Sequence, residues 1–260
     1  MRSLLQKLIR YPKRGPAPEP AYGDFVARAT GVGADHPATR EQLARSFAAI
    51  HKHVACAHQE AEALLLAEAI LTTKAAGPII ELGCFKGGCT CKLSLVARAT
   101  GRRLYVCDSF AGLPRPGQDD AHHELTSGRV KMYQQGDYCG PRAEVEANLR
   151  AHGAPEVCEI VEGFFEQTLP ALDIQPCLAF MDVDLIESAR TCLRNLWPRL
   201  QAGARFYTHE ATAMTFLRGL LDPTWWTQTL RQHPPILLGA GFGFGPHAKN
   251  LAYFDRGEAA

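Results

Sequence analysis

Acids that close apolar runs carry the chemistry this chain can do. Ile80-Glu81-Leu82-Gly83-Cys84-Phe85-Lys86-Gly87-Gly88 is a β-type run that ends in an acid and turns through glycines into helical sequence. Such glycines let a ligand approach the backbone, and Lys86 stands inside the turn. A dinucleotide fingerprint orders its glycines G-x-G-x-x-G and seats a pyrophosphate on the helix N-terminus. The order here is G-x-x-x-G-G, which disfavours a nicotinamide oxidoreductase. Glu81 suits a cationic amino group instead, as in the methionyl part of S-adenosylmethionine. Twenty residues after Gly88 a second run ends Val106-Cys107-Asp108-Ser109-Phe110, where Asp108 can accept both hydroxyls of a ribose.

A reaction site is expected at two later run ends, Phe180-Met181-Asp182-Val183-Asp184 and Tyr207-Thr208-His209-Glu210. If these runs are neighbouring strands, Asp182, His209 and Glu210 converge on one rim. Their oxygen and imidazole donors could hold a divalent ion, which would stabilise a deprotonated hydroxyl and orient it toward a methyl carbon. The alternative is His209 as a general base without metal. Cys84, Cys89 and Cys91 share the glycine turn but lack zinc spacing and read as buried packing residues. His122 and His123 read as solvated loop histidines, and Arg190 as an exposed helix residue.

The elements that must position these groups follow from periodicity. Apolar runs at Pro78 to Leu82, Leu104 to Cys107, Cys158 to Val161, Cys177 to Met181 and Ala204 to Thr208 alternate with helical patterns at Lys86 to Thr100, Arg142 to His152, Glu166 to Leu172 and Glu187 to Leu200. Strands apolar on both faces and separated by helices make a mostly parallel sheet covered on both sides, a Rossmann-like α/β fold. Ile236 to Leu238 and Leu251 to Phe254, joined through the glycine-rich Gly239 to Gly245, read as an antiparallel terminal hairpin. Two helices precede the first strand, one capped by Thr39 and running through Ile50, one from about Glu60 to Lys74. These elements give a single domain over 39–260 with a helical cap at 39–76. The aperiodic stretch 114–141 is long enough to serve as a lid.

Residues 11–24 carry Pro12, Pro16, Pro18, Pro20 and Gly23 and read as a stiff linker within an N-terminal region spanning 1–38. Before it, Met1 to Arg14 is basic and amphipathic, able to touch a membrane surface. Lys7 and Pro12 interrupt it as a secretory signal, so the expected location is cytoplasmic. Nine cysteines without paired spacing fit reduced thiols. The 28 Lys+Arg nearly balance 27 Asp+Glu, leaving no basic field for nucleic acid. The best apolar run, Ala61 to Thr72, is short and broken by Glu62 and Glu68, so no transmembrane segment is expected.

Four segments, in order and spacing over roughly Ile79 to Glu210, resemble the macrocin O-methyltransferase (TylF-type) family of class I S-adenosylmethionine-dependent enzymes, which methylate sugar hydroxyls. They are Glu81 to Gly88; Cys107-Asp108-Ser109-Phe110-Ala111-Gly112-Leu113-Pro114; Val161-Glu162-Gly163-Phe164-Phe165-Glu166-Gln167-Thr168-Leu169-Pro170; and Met181-Asp182-Val183-Asp184-Leu185-Ile186-Glu187-Ser188 with Pro198-Arg199-Leu200. The resemblance implies that Glu81 and Gly83 line the methionine end with Lys86 in the same turn, that Asp108 holds the ribose, and that Ser109, Gly163 and Phe164 flank the adenine. It implies Asp182 as metal ligand and base, a hydroxyl of a sugar, glycosylated small molecule or surface glycan as acceptor, and a homo-oligomer. The resemblance implies magnesium or manganese as the ion, but the chain departs from the family at His209-Glu210-Ala211, where Asp-Asp-Tyr is usual: Glu210 can still serve magnesium, whereas His209 favours a softer divalent ion or none. It departs also at Ile186 for Tyr and at Ala189 for Thr. The altered pair leaves a second reading open, a cofactor-binding protein that has lost the reaction and acts as an assembly partner. No Asn-Pro-Pro-Tyr-type turn supports an N-methyltransferase or nucleic-acid methyltransferase.

Overall fold

A computed structural model describes residues 19–257. Three helices, α1 (Glu19–Ala27), α2 (Pro37–His53) and α3 (Glu60–Thr72), precede β1 (Ile79–Leu82). The chain continues through α4 (Gly88–Ala99), β2 (Leu104–Asp108), β3 (His122–Glu124), β4 (Val130–Met132), α5 (Arg142–His152), β5 (Cys158–Glu162), α6 (Phe165–Thr168) and β6 (Leu178–Met181). It closes with α7 (Ile186–Leu196), β7 (Arg205–Thr208), α8 (Met214–Leu220), α9 (Pro223–Leu230), β8 (Leu237–Leu238) and β9 (Ala252–Asp255). Seven strands form one sheet in the order β5-β2-β1-β6-β7-β9-β8. The first five in that order are mutually parallel, and β9 and β8 add the expected antiparallel edge.

All four residues of β1 and of β6 are buried, as strands covered on both faces must be. Helices α1 to α4 pack together as one group, and α7 joins α6 and α8 in another. From β1 the chain winds outward through β2 to β5, then returns to β6 and β7 on the other side. β1 and β6 are therefore neighbours whose connections diverge, which opens a crevice at their carboxyl ends. Register sets the depth of that crevice. Leu82 pairs with Cys107 and Met181, and Met181 with Thr208, so Gly83, Asp108, Asp182 and His209 finish on one level.

The N-terminal boundary departs from expectation. The chain is helical from Glu19, inside the stretch read as linker, because Pro20 falls in the first turn, where its missing N–H costs no hydrogen bond. Phe25 on this helix is fully buried, and the Arg40 guanidinium lies 4.8 Å over its ring while pairing with Asp35 at 2.5 Å. Helix α2 starts at Pro37 for the same reason, with His36 rather than Thr39 at its cap. The basic segment Met1 to Arg14 lies outside the described residues.

Helix α3 starts with a reciprocal capping box between Gln59 and Glu62. The patterns ending at Leu172 and Leu200 both tighten into 3₁₀ turns where Pro170 and Pro198 enter. Helices α8 and α9 were not legible as elements, although Asp222 accepting from the Thr224 N–H just before Pro223 is a standard start signal. The stretch 114–141 is not featureless, since β3 and β4 pair as a hairpin within it. His123 is fully buried there against Asp120 at 3.2 Å, which corrects its reading as a solvated residue. Arg190 is half-buried, pairing with Glu187 and Asp222.

The fold itself requires Gly83. Its φ is +86°, and a Cβ there would lie 2.1 Å from the Asp182 carbonyl oxygen. Gly83→Ala is expected to lower stability by about 3 kcal/mol or more, because strain and a backbone clash add. Gly101, at φ +65° with open space around it, should lose only about 1 kcal/mol as alanine. Urea unfolding of the two variants checks the difference, and equal losses would contradict it.

Candidate active site

A cavity of about 740 Å³ occupies the crevice, and residues from both sides of the switch line it. On the β1 and β2 side the Asp108 carboxylate is clamped by two backbone groups. The Cys84 N–H donates to Oδ2 and the Phe110 N–H to Oδ1, each at 2.7 Å. Each oxygen keeps further acceptor capacity. The Ser109 hydroxyl donates to the Gly112 carbonyl at 2.8 Å and accepts from the Ala111 N–H, so it shapes the wall more than it offers a donor. Gly163, at φ +138°, and Phe164, just before α6, complete this half.

Glu81 stands behind the lining, fully buried, with neither carboxyl oxygen hydrogen-bonded. Burial pushes it up to about 8, with Thr90 and His58 opposing and Cys56 and Asp108 adding to the rise. A buried acid left without a partner is costly unless a cation comes to it. Lys86 does not join the cavity lining. Its ammonium pairs with Glu144 on α5 at 3.0 Å, so the structure does not bring it together with the other expected binding residues.

The opposite half is a chain of paired charges built around Asp182. Asp182 Oδ2 lies 2.9 Å from His58 Nε2, and Oδ1 lies 3.5 Å from His209 Nδ1. His209 Nε2 meets Glu62 Oε2 at 3.0 Å, and His58 Nδ1 lies 3.5 Å from Cys56 Sγ. The two imidazoles touch edge to face with centroids 4.4 Å apart. Burial alone would raise Asp182, but His209 and His58 hold it well below the usual carboxylate range. Burial would likewise lower His209, yet Glu62 and Asp182 lift it to about 9 against repulsion from His58. Glu62, fully buried, is kept low by His209 in spite of its desolvation.

Glu210 lines the cavity as expected, and its carboxylate is engaged by neighbours of its own. Its Oε1 accepts the N–H groups of Val183 and Asp184, both at 3.1 Å, and its Oε2 accepts from the Thr208 hydroxyl. Burial raises it to about 7, with Asp182 and Asp184 adding to the shift. It props the loop that holds Asp182. Asp184, at φ +60°, is paired with Lys131 from β4 at 2.6 Å. Among the described residues two donor groups lie close enough to share an ion, His58 with Asp182 and His209, and Asp182 with Asp184 and Glu210. The expected trio of Asp182, His209 and Glu210 is not one of them, because consecutive residues leaving an extended strand project to opposite sides.

His58, Glu62 and Lys131 were missed from sequence. An acid interrupting an otherwise apolar helix was the available signal for Glu62, and it was read only as an argument against a membrane span. His58 lies 124 positions from its partner Asp182, and no local pattern marks it.

Comparison with known proteins places this geometry. A family model described as macrocin-O-methyltransferase (TylF) matches residues 57–214. The 8-demethyl-8-(2,3-dimethoxy-alpha-L-rhamnosyl)-tetracenomycin-C 4'-O-methyltransferase of Streptomyces olivaceus is 32% identical over 141 residues, covering 52% of this chain and 53% of that protein. Demethyldecarbamoylnovobiocin O-methyltransferase of Streptomyces niveus is 28% identical over 142 residues, with the same coverage. The chain thus spans about half the length of the curated relatives it matches. The calicheamicin methyltransferase CalS11 shares the fold with a TM-score of 0.59 at 20% identity, over 90% of this chain and 91% of that one. The O-methyltransferase NovP does so with a TM-score of 0.57 at 21% identity, over 74% and 76%. The family match runs from the residue before His58, through the helix carrying Glu62 and the glycine turn, to the strand ends that present Asp108, Asp182 and His209, and the chain belongs to the macrocin-O-methyltransferase (TylF) family.

Proposed function

We propose that this protein is an S-adenosylmethionine-dependent O-methyltransferase acting on a hydroxyl of a sugar or glycosylated small molecule, whether a natural product or a surface glycan. The observation that carries this reading is the meeting, in one cavity, of a backbone-clamped acid at the end of β2 with an ionised acid at the end of β6. Family membership supports it, as do relatives named for O-methylation of a rhamnosyl tetracenomycin and of a novobiocin precursor.

The residues present fit the cofactor. Asp108 has acceptor capacity for ribose hydroxyls, Phe164 offers an apolar wall for adenine, and the unpartnered Glu81 carboxyl answers a cationic amino group. When bound, S-adenosylmethionine supplies a methyl group on a positively charged sulfur. Asp182 then orients the acceptor hydroxyl by accepting its hydrogen bond, which aims the oxygen along the line of displacement. Its low pKa does not disqualify it as the proton acceptor, because an oxygen taking on a methyl group becomes a strong acid as it does so. His58 and His209 keep Asp182 ionised and fixed. The donor groups of the site also fit a divalent ion, which would add Lewis-acid activation of the hydroxyl.

The hairpin β3–β4 brings Lys131 and Tyr133 to the cavity, so the 114–141 segment serves as the lid that excludes water. With the helices before β1 it also sets acceptor choice. Nine unpaired thiols favour a reducing, cytoplasmic setting, and no helix among the described residues is long and apolar enough to cross a membrane. We assign the N-terminal arm to peripheral contact with a membrane-attached acceptor, and a homo-oligomer as the working assembly.

Asp182→Asn should lower kcat by about 100-fold or more while leaving cofactor affinity within about twofold. Asp108→Ala should weaken cofactor binding by about 10- to 100-fold. Turnover assays and calorimetry check both. Wild-type turnover in the first variant contradicts the role of Asp182, and cofactor binding without transfer to any glycoside would favour the assembly-partner reading. Glu81 yields a pH prediction. Its folded pKa of about 8 exceeds the ordinary 4.5, so the native state holds a proton that the unfolded state has released between those values. Stability of the cofactor-free protein should therefore fall as pH rises across that window, and Glu81→Gln should remove about 3 to 5 kcal/mol of the fall. Urea titrations from pH 5 to pH 9 measure it, and parallel curves for the two proteins would refute it.

A further inference from the structure

Asp182 faces two imidazoles, and the far side of each ring is already committed. His209 Nε2 lies 3.0 Å from Glu62 Oε2, and Glu62 is itself fixed by the N–H groups of Gln59 at 2.7 Å and Asn250 at 3.2 Å. An ionised carboxylate can only accept, so His209 donates its Nε2–H to Glu62 and turns Nδ1 toward Asp182. His58 repeats the arrangement. Its Nδ1 lies 3.5 Å from Cys56 Sγ, a sulfur approached at 3.9 Å by the ammonium of fully buried Lys92 and so cast as the acceptor. That leaves His58 Nε2 directed at Asp182 Oδ2, 2.9 Å away.

Two ring nitrogens and a carboxylate oxygen, all within 4.8 Å of one another, thus converge on one point at the cavity wall. With both far nitrogens acting as donors, the converging atoms all carry lone pairs. Something positive must stand among them, either a proton on each ring or one metal ion in place of both. We propose that His58 Nε2, Asp182 and His209 Nδ1 form a binding site for a divalent transition ion of the zinc, cobalt or iron(II) class rather than for magnesium.

Imidazole donors select that class, whereas magnesium prefers oxygen alone. The all-oxygen alternative of Asp182, Asp184 and Glu210 is compromised, because Lys131 holds Asp184 and three donors hold Glu210. A carboxylate on the far N–H of a ligating histidine fixes its tautomer and strengthens it as a ligand, which gives buried Glu62 a function. Three protein donors beside an open cavity also leave room for an acceptor hydroxyl. The site is the one proposed above for methyl transfer, but the metal inference stands on donor geometry and is testable apart from turnover.

The test is a titration of the metal-stripped full-length protein with cobalt(II), followed by visible absorption. One equivalent should bind, zinc should displace it, and magnesium in about a hundredfold excess should not. His58→Gln should weaken cobalt binding by more than about tenfold, and Glu62→Gln by about tenfold. Proton NMR of the wild-type cobalt form needs no variant to fold and should show two hyperfine-shifted, exchangeable imidazole N–H signals. No saturable cobalt binding, displacement by magnesium, undiminished binding in His58→Gln, or fewer than two such signals would each overturn the proposal. Calorimetry with S-adenosylmethionine on the same metal-stripped protein separates the two readings. Cofactor binding without a cobalt site overturns the metal site alone, and a cobalt site without cofactor binding overturns the methyltransferase reading alone.

Discussion

A carboxylate withdrawn from water at the end of β6 has to be compensated, and the arrangement of that half of the cavity follows from how Asp182 is compensated. Each of its oxygens meets an imidazole, and each imidazole is backed by a second acceptor. The result is a continuous row of mutually engaged polar groups from Cys56 through His58, Asp182 and His209 to Glu62. No member of such a row can be removed without stranding its neighbour, since breaking a buried pair costs more than the pair is worth when formed. The helix carrying Glu62 and the segment carrying His58 are therefore tied to the sheet rim by electrostatics as well as by apolar packing.

The rim can present these groups because β1 and β6 approach so closely that Gly83 has no room for a side chain. That contact sits at the one place where neighbouring connections leave in opposite directions. Gly83 and Gly88 line the cavity and are also required by the backbone, Gly88 being pressed against the Ala55 carbonyl. The consequence is a division of labour. The glycine turn supplies shape, Asp108 supplies directional acceptors, and Glu81 keeps an unmet electrostatic demand just behind the wall.

How much of this was legible depended on distance along the chain. The strands, their mostly parallel arrangement and the acids Glu81, Asp108 and Asp182 are written in local patterns of apolar runs and run ends, and the structure has them there. Lys86 misled because its turn position was visible but its rotation toward Glu144 was not. Glu210 lines the cavity beside Asp182 as expected, but it groups with Asp184 rather than with His209, because an extended backbone sends neighbouring side chains apart. His58 and Glu62 are brought to the site only by the packing of α2 and α3 against α4, a tertiary fact with no periodic signature. The early start of α1 was hidden by Pro20, a residue that breaks helices everywhere except where it sits.

In the proposed function, the buried, unpartnered Glu81 carboxyl and the clamped Asp108 together form the receptor for the methyl donor. Calorimetric titration of the metal-stripped protein with S-adenosylmethionine near pH 7, run in buffers of different ionisation enthalpy, tests it most directly. Saturable binding of one cofactor per chain is expected, with release of about one proton as the cationic amino group draws Glu81 into its ionised form. Absence of binding, or binding without proton release, would contradict it.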